Sequence, residues 1–188
     1  MTTGSVSPRR ADTRRNHERI LAAALESLTA SGEISFNAIA KKAEVGVGTV
    51  YRHFPTPDAL ILAVYRREVQ HLGDVVPTLL KQHPPEQAFL TWTRHLARYM
   101  KTKRGLADAL RAATTSHEQL FADAYEVMLT AVTTLLNANI KAGTVRGDLD
   151  PSVVLRALGG LFYHDHGADW QTQTQNLTDL LWRGMSCG

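Results

Sequence analysis

The sequence is nearly devoid of cysteine. Cys187 is the single one in 188 residues and stands next to the last position, so an internal disulfide is excluded and a reducing, cytoplasmic setting is expected. No apolar run approaches the roughly 18–20 residues that a membrane helix needs, so no membrane partner is expected. The polar, arginine-bearing N-terminus lacks the apolar core of a secretory signal. Sustained period-2 alternation is missing outside one short stretch, which argues against a sheet architecture. There is no H-E-x-x-H, G-x-S-x-G or C-x-x-C, and the carboxylates are scattered, not paired. These absences count against a hydrolase, a zinc enzyme or a thiol oxidoreductase, and no cofactor is expected.

Charge is present, and its placement is informative. Up to Phe54 there are eight cations (Arg9, Arg10, Arg14, Arg15, Arg19, Lys41, Lys42, Arg52) against five anions (Asp12, Glu18, Glu26, Glu33, Glu44). The difference equals the whole formal surplus of +3, so the rest of the chain is neutral. Such asymmetry points to a nucleic acid or another anionic surface as the partner of the N-terminal part. A solvated basic tail is the bland alternative. The protein would then be a small all-α enzyme, or a helical protein-interaction module, with an incidental basic N-terminus.

Apolar periodicity of the helical kind dominates. After a polar, proline-broken start, a first helix is expected from about Thr13 to Ala30, with Ile20, Leu21, Ala24, Leu25 and Leu28 on one face and Gly32 as its C′ residue. Ser35 is suited to cap a short helix, Phe36 to Ala43. Thr56-Pro57-Asp58 opens a helix that carries apolar residues to about Leu72. Further helices are expected from Pro85 to about Lys101, from Leu106 to Thr114, from about His117 to Ala142, from Asp150-Pro151 to about His164, and from Gln173 to Met185. The fold class is therefore all-α.

The stretch Val45-Gly46-Val47-Gly48-Thr49-Val50-Tyr51-Arg52-His53-Phe54 admits competing readings. Its first half alternates like a strand, but a lone strand in a helical chain has no ladder partner for its backbone groups. A phosphate loop is equally poor, since G-x-G lacks a preceding strand and the remaining motif. The helical reading fits the neighbours. A small Ala40, a turn residue Val45 and an anchor Val50 have the spacing of a helix-turn-helix, whose second helix exposes its N-terminal end.

The run Ile39-Ala40-Lys41-Lys42-Ala43-Glu44-Val45-Gly46-Val47-Gly48-Thr49-Val50-Tyr51-Arg52-His53-Phe54 resembles the DNA-binding signature of tetracycline-repressor-like (TetR family) regulators. The similarity extends over about Arg14 to Tyr65, and more weakly over the helices downstream. After a basic tail (1–12) whose small, polar, proline-broken composition suggests disorder, it implies a three-helix helix-turn-helix domain (13–55) and a helical domain for effector binding and dimerisation (56–188). A homodimer through the last two long helices is implied, on a pseudo-palindromic double-stranded operator. So is a small-molecule effector, acting through the helix from Asp58 that joins the two halves. Thr49, Tyr51 and His53 match positions that touch phosphates or thymine methyls. Arg52 is open to a guanine contact or a phosphate clamp. Gly46, Val47 and Gly48 would let backbone approach the groove. Ser35, Asn37 and Lys41 are candidates for phosphate, and Arg14 and Arg15 for an adjacent minor groove. Three departures stand out: Glu44 where the family usually has glycine, a shortened Ser31–Asn37 segment, and Pro57 where a cation often touches phosphate.

For the effector pocket the candidates are Trp92, His95, Leu96, Tyr99, Met100, Leu110, Phe121, Tyr125, Met128 and Phe162, each also suited to plain core. The pair His164 and His166 invites a metal reading, but i, i+2 side chains leave a helix on opposite sides, so no metal is expected.

Overall fold

The computed structural model describes residues 8–31, 34–114, 117–163 and 169–187. The described residues form an all-α fold. In chain order the helices are α1 (Pro8–Ser31), α2 (Phe36–Lys42), α3 (Val47–His53), α4 (Pro57–Gln82), α5 (Pro85–Gly105), α6 (Ala107–Ala113), α7 (His117–Ala142), α8 (Pro151–Tyr163) and α9 (Trp170–Met185). The β structure among them is an isolated bridge between Val145 and Ser186.

Side-chain caps account for several of these starts. The Ser35 hydroxyl accepts from the Ala38 amide at 3.4 Å, and that of Thr56 from the Ala59 amide at 3.2 Å. The Asp150 carboxylate accepts from the Ser152 amide at 2.7 Å. Hydrogen bonding from Ser152 holds that carboxyl below the usual carboxylate range.

Four boundaries differ from expectation. Helix α1 begins at Pro8, where proline fits the first turn, so residues 8–12 of the expected tail are helical and 1–7 lie outside the described residues. Gly32 also lies outside them. Helix α4 runs ten residues past Leu72, to Gln82, with Pro77 inside it. An interior proline costs about 3 kcal/mol. Burial of Val76 and Leu79 at the continuing apolar stripe supplies roughly 1.5–3 kcal/mol each, and so offsets it. Helix α5 runs past the expected end near Lys101 to Gly105, with Thr102 buried in the added turn. Helix α9 starts at Trp170, three residues before Gln173.

The chain divides into two compact units. The first holds the described residues of Met1–Arg66 and Gly105–Thr115. Its core includes Ile20, Leu28, Ile39, Val50, Phe54 and Leu60, all at most 4% exposed. The second holds those of Arg67–Arg104 and Ser116–Gly188. There α8 packs against both α7 and α9. The Trp92 indole donates to the Leu72 carbonyl at 2.8 Å, tying α5 to α4. A Cβ added at Gly73 would meet Val127 Cγ1 at 3.2 Å, so glycine there permits the close approach of α4 to α7. Asn139, fully buried, donates to the carbonyls of Pro85 and Leu135 at 2.9 Å each and accepts from the Thr144 hydroxyl at 2.8 Å.

Candidate nucleic-acid interface

Phe36, Ile39 and Ala40 turn one side of α2 into the core of the first unit, leaving Asn37 and Lys41 exposed one turn apart on the other. The chain then reverses sharply. The Ala43 amide donates to the Ile39 carbonyl at 2.8 Å and the Val45 amide to the Ala40 carbonyl at 3.0 Å. Glu44 carries the reversal at φ +49°, a left-handed conformation that favours glycine. Arg19 of α1 steadies it, donating to the Glu44 carboxylate at 2.7 Å and to its carbonyl at 3.4 Å.

Gly46 caps α3 in an extended conformation, and Val50 anchors the helix with no exposed surface. Its outward face carries Val47 (40% exposed), Gly48, Tyr51 (55% exposed) and Arg52. Val47 and Tyr51 are among the few large apolar side chains left exposed. The Tyr51 ring leans on Phe36 with centroids 4.7 Å apart, which fixes its direction from the surface. Thr49 is half-buried. A Cβ at Gly48 would meet nothing within 4 Å, and one at Gly46 only Thr49 Oγ1 at 3.9 Å. Neither glycine is demanded by packing among the described residues, although Gly48 costs its helix stability.

His53 closes α3, its ring 5.5 Å from that of His17 on α1. Burial, then the neighbouring His17 and Arg52 charges, hold its pKa below the ordinary imidazole value. Arg14 and Arg15 are exposed on α1, and Arg15 pairs with Asp12. Lys42 is engaged by Glu26 at 2.7 Å, whereas Lys41 has no ion-pair partner among the described residues. The twelve residues expected at DNA thus fall on α1, on α2 with its cap, and on α3 with its cap. Arg19 and His17 stand outside that set. Their contacts with Glu44 and with His53 join parts of the chain far apart in sequence, and no local pattern announces them.

The effector candidates are placed in several environments. Trp92, Leu96, Tyr99 and Phe162 are buried in the second unit, and Leu110 is buried on α6 of the first. Met100, Tyr125 and Met128 are half-buried. Phe121 lies beneath the Lys103 ammonium, 4.3 Å from its ring centroid. His95 is half-buried, with Nδ1 3.2 Å from His71 Nε2. A groove of about 640 Å³ runs between α5 and α9 in this unit, and none of these ten residues lines it. Among the described residues no three metal-ligating side chains converge, and His164 and His166 lie outside those residues. No helix among them is long and apolar enough to cross a membrane.

Two family models match the chain: bacterial regulatory proteins of the tetR family over residues 20–64, and the C-terminal domain of SbtR-like transcriptional regulators over residues 84–187. A TetR transcriptional regulator from Streptomyces coelicolor shares 38% identity over 90% of this chain and 98% of its own, with a TM-score of 0.84. A TetR transcription regulatory protein from Mycobacterium vanbaalenii shares 32% identity over 96% of this chain and 100% of its own, with a TM-score of 0.79. Comparison with curated proteins gave no match.

Proposed function

Because the chain belongs to the TetR family of DNA-binding transcriptional regulators, we propose that it represses transcription by binding a pseudo-palindromic operator as a homodimer, and that a small-molecule effector releases it. The observation that carries this reading is the outward face of α3. Buried Val50 holds the helix while Val47, Gly48, Tyr51 and Arg52 stay exposed together. An apolar, small, hydroxylated and guanidinium-bearing face suits a major groove, with its methyls, base edges and flanking phosphates. Exposed Lys41 and Asn37 on α2 and the Ser35 cap supply backbone contacts, and Arg14 and Arg15 reach a neighbouring minor groove. Exposed Val153 on α8 and Leu180 on α9 favour those two helices as the dimer seam. The protein acts in the cytoplasm, where it meets chromosomal DNA.

Release is linkage. An effector that binds the free dimer better than the DNA-bound one weakens operator affinity by a coupling of typically about 1–3 kcal/mol. Selection of bound sequences from random DNA, at stated salt and with or without effectors, tests the whole reading. The expected product is an inverted repeat whose half-site centres lie about 34–36 Å apart, or somewhat more on bent DNA. Enrichment of an asymmetric single site, or of nothing, defeats the proposal.

A further inference from the structure

Helix α9 lies along α5, and two contacts mark the ends of the seam. Trp182 meets Phe89 with ring centroids 5.4 Å apart, and Lys101 Nζ sits 4.6 Å from the Trp170 ring. Between these ends the seam is open, a groove of about 640 Å³. That volume falls in the range of small-molecule sites. Its floor is made of short side chains, Thr93, Ala97, Thr174 and Thr178, all buried. Larger aliphatic residues at these positions would have closed it.

Polar groups in the groove are unevenly satisfied. The Thr93 hydroxyl donates to the Leu90 carbonyl and that of Thr178 to the Thr174 carbonyl, each at 2.8 Å. Thr174 is only 7% exposed, yet its hydroxyl has no hydrogen-bond partner among the described residues. No fully enclosed side-chain polar atom among the described residues lacks a partner, so this hydroxyl reaches the open space of the groove. The charges point the same way. Arg94 and Arg98 stand one turn apart on the groove wall, both exposed and neither paired with a carboxylate among the described residues. Lys101 continues the row at Trp170, and the groove's own carboxylate is Asp179. The excess is cationic, and guanidinium groups match the planar geometry of an oxyanion.

We propose that the groove between α5 and α9 binds a small organic oxyanion with a flat apolar body, its carboxylate or phosphate held by Arg94 and Arg98, its edge by the Thr174 hydroxyl and its body against Trp170. As an effector site this rests on the ligand-responsive reading above, and it names the chemistry of the effector. The groove shares α9 with the proposed dimer seam, so occupancy has a direct path to the spacing of the two DNA-binding helices.

Calorimetry on the full chain tests the site with 2-naphthoate and phenyl phosphate against the neutral 2-naphthamide. At least one anion is expected to bind with a Kd below about 1 mM, roughly tenfold or more tighter than the amide. The stronger arm says whether carboxylate or phosphate is preferred. In Arg94→Gln/Arg98→Gln, which alters exposed side chains and leaves the melting temperature in place, that preference falls to within about twofold. Asp179→Asn tightens anion binding by removing repulsion. No binding of either anion, equal binding of the amide, or a preference that survives the double substitution overturns the proposal. An operator shift assay with the same ligands separates the two ideas. Anion binding that leaves DNA affinity unchanged keeps the site and sinks the regulatory reading. Release of DNA that persists in the double variant keeps the regulatory reading and sinks this site.

Discussion

At the scale of single residues, Gly48 occupies a helix and Glu44 a left-handed turn, the reverse of what backbone preference favours. Gly48 sits inside a helix at a position where a Cβ meets nothing within 4 Å, so the fold gains nothing from its absence. Gly48→Ala is expected to stabilise the free protein by about 0.5–1 kcal/mol in denaturant unfolding. If α3 enters DNA through this face, the same methyl lowers operator affinity by about tenfold, some 1.4 kcal/mol. A variant gaining stability with full affinity removes Gly48 from the interface. Glu44, in contrast, occupies a left-handed turn at φ +49° that glycine would take without strain. Its carboxylate forms an exposed ion pair with Arg19, a contact worth at most about 1 kcal/mol. Glu44→Ala and Glu44→Gly both lose that pair, but only glycine relieves the turn. The glycine variant is expected to be the more stable of the two by about 1 kcal/mol, and equal unfolding midpoints would show that the turn holds no strain.

Among elements, the contact between α4 and α5 titrates. His95 is half-buried against His71, and its pKa is pushed below the ordinary 6.5, first by burial, then by the neighbouring charges of His71 and Arg98. The folded state therefore favours the neutral ring, while the unfolded chain takes up a proton near pH 6.5. The contribution of this contact is full above that pH and is lost as pH falls from it toward the folded pKa. The melting temperature is expected to fall between pH 7 and 5 more steeply in the native chain than in His95→Gln, where an amide keeps a hydrogen bond but does not titrate. Parallel pH profiles would refute the role of this pair. Elements are also where the sequence is most readable. Ser35, Thr56 and Asp150 announce their helices because a side-chain cap is a local interaction, and His117–Ala142 follows from an unbroken apolar period. The sequence understates helix α4 because the burial of Val76 and Leu79, which carries the helix past Pro77, is not a local property. The groove between α5 and α9 is illegible for the same reason. Thr93 and Thr174 become a floor only once two helices distant in the chain lie side by side.

For the molecule as a whole, the charge surplus confined to the N-terminal part becomes a measurable salt dependence. Each phosphate neutralised in a complex with duplex DNA contributes about 0.9 to the negative slope of log K against log salt. Two neighbouring lysines differ in what they can give. Lys42 is held by Glu26 at 2.7 Å, and that carboxylate competes with a phosphate for its ammonium. Lys41 is exposed, has no ion-pair partner among the described residues, and shares its stripe of α2 with Asn37. In a homodimer a substitution acts twice, so Lys41→Ala is expected to reduce the steepness of the slope by about 1.8. Lys42→Ala leaves the slope near that of the native chain and costs stability of at most about 1 kcal/mol. Titrations of one operator at several salt concentrations distinguish the cases. A reduction near 0.9 for Lys41→Ala would mean a single copy on the DNA and remove the two-fold arrangement, while a larger change for Lys42→Ala would place the wrong side of α2 against the phosphates.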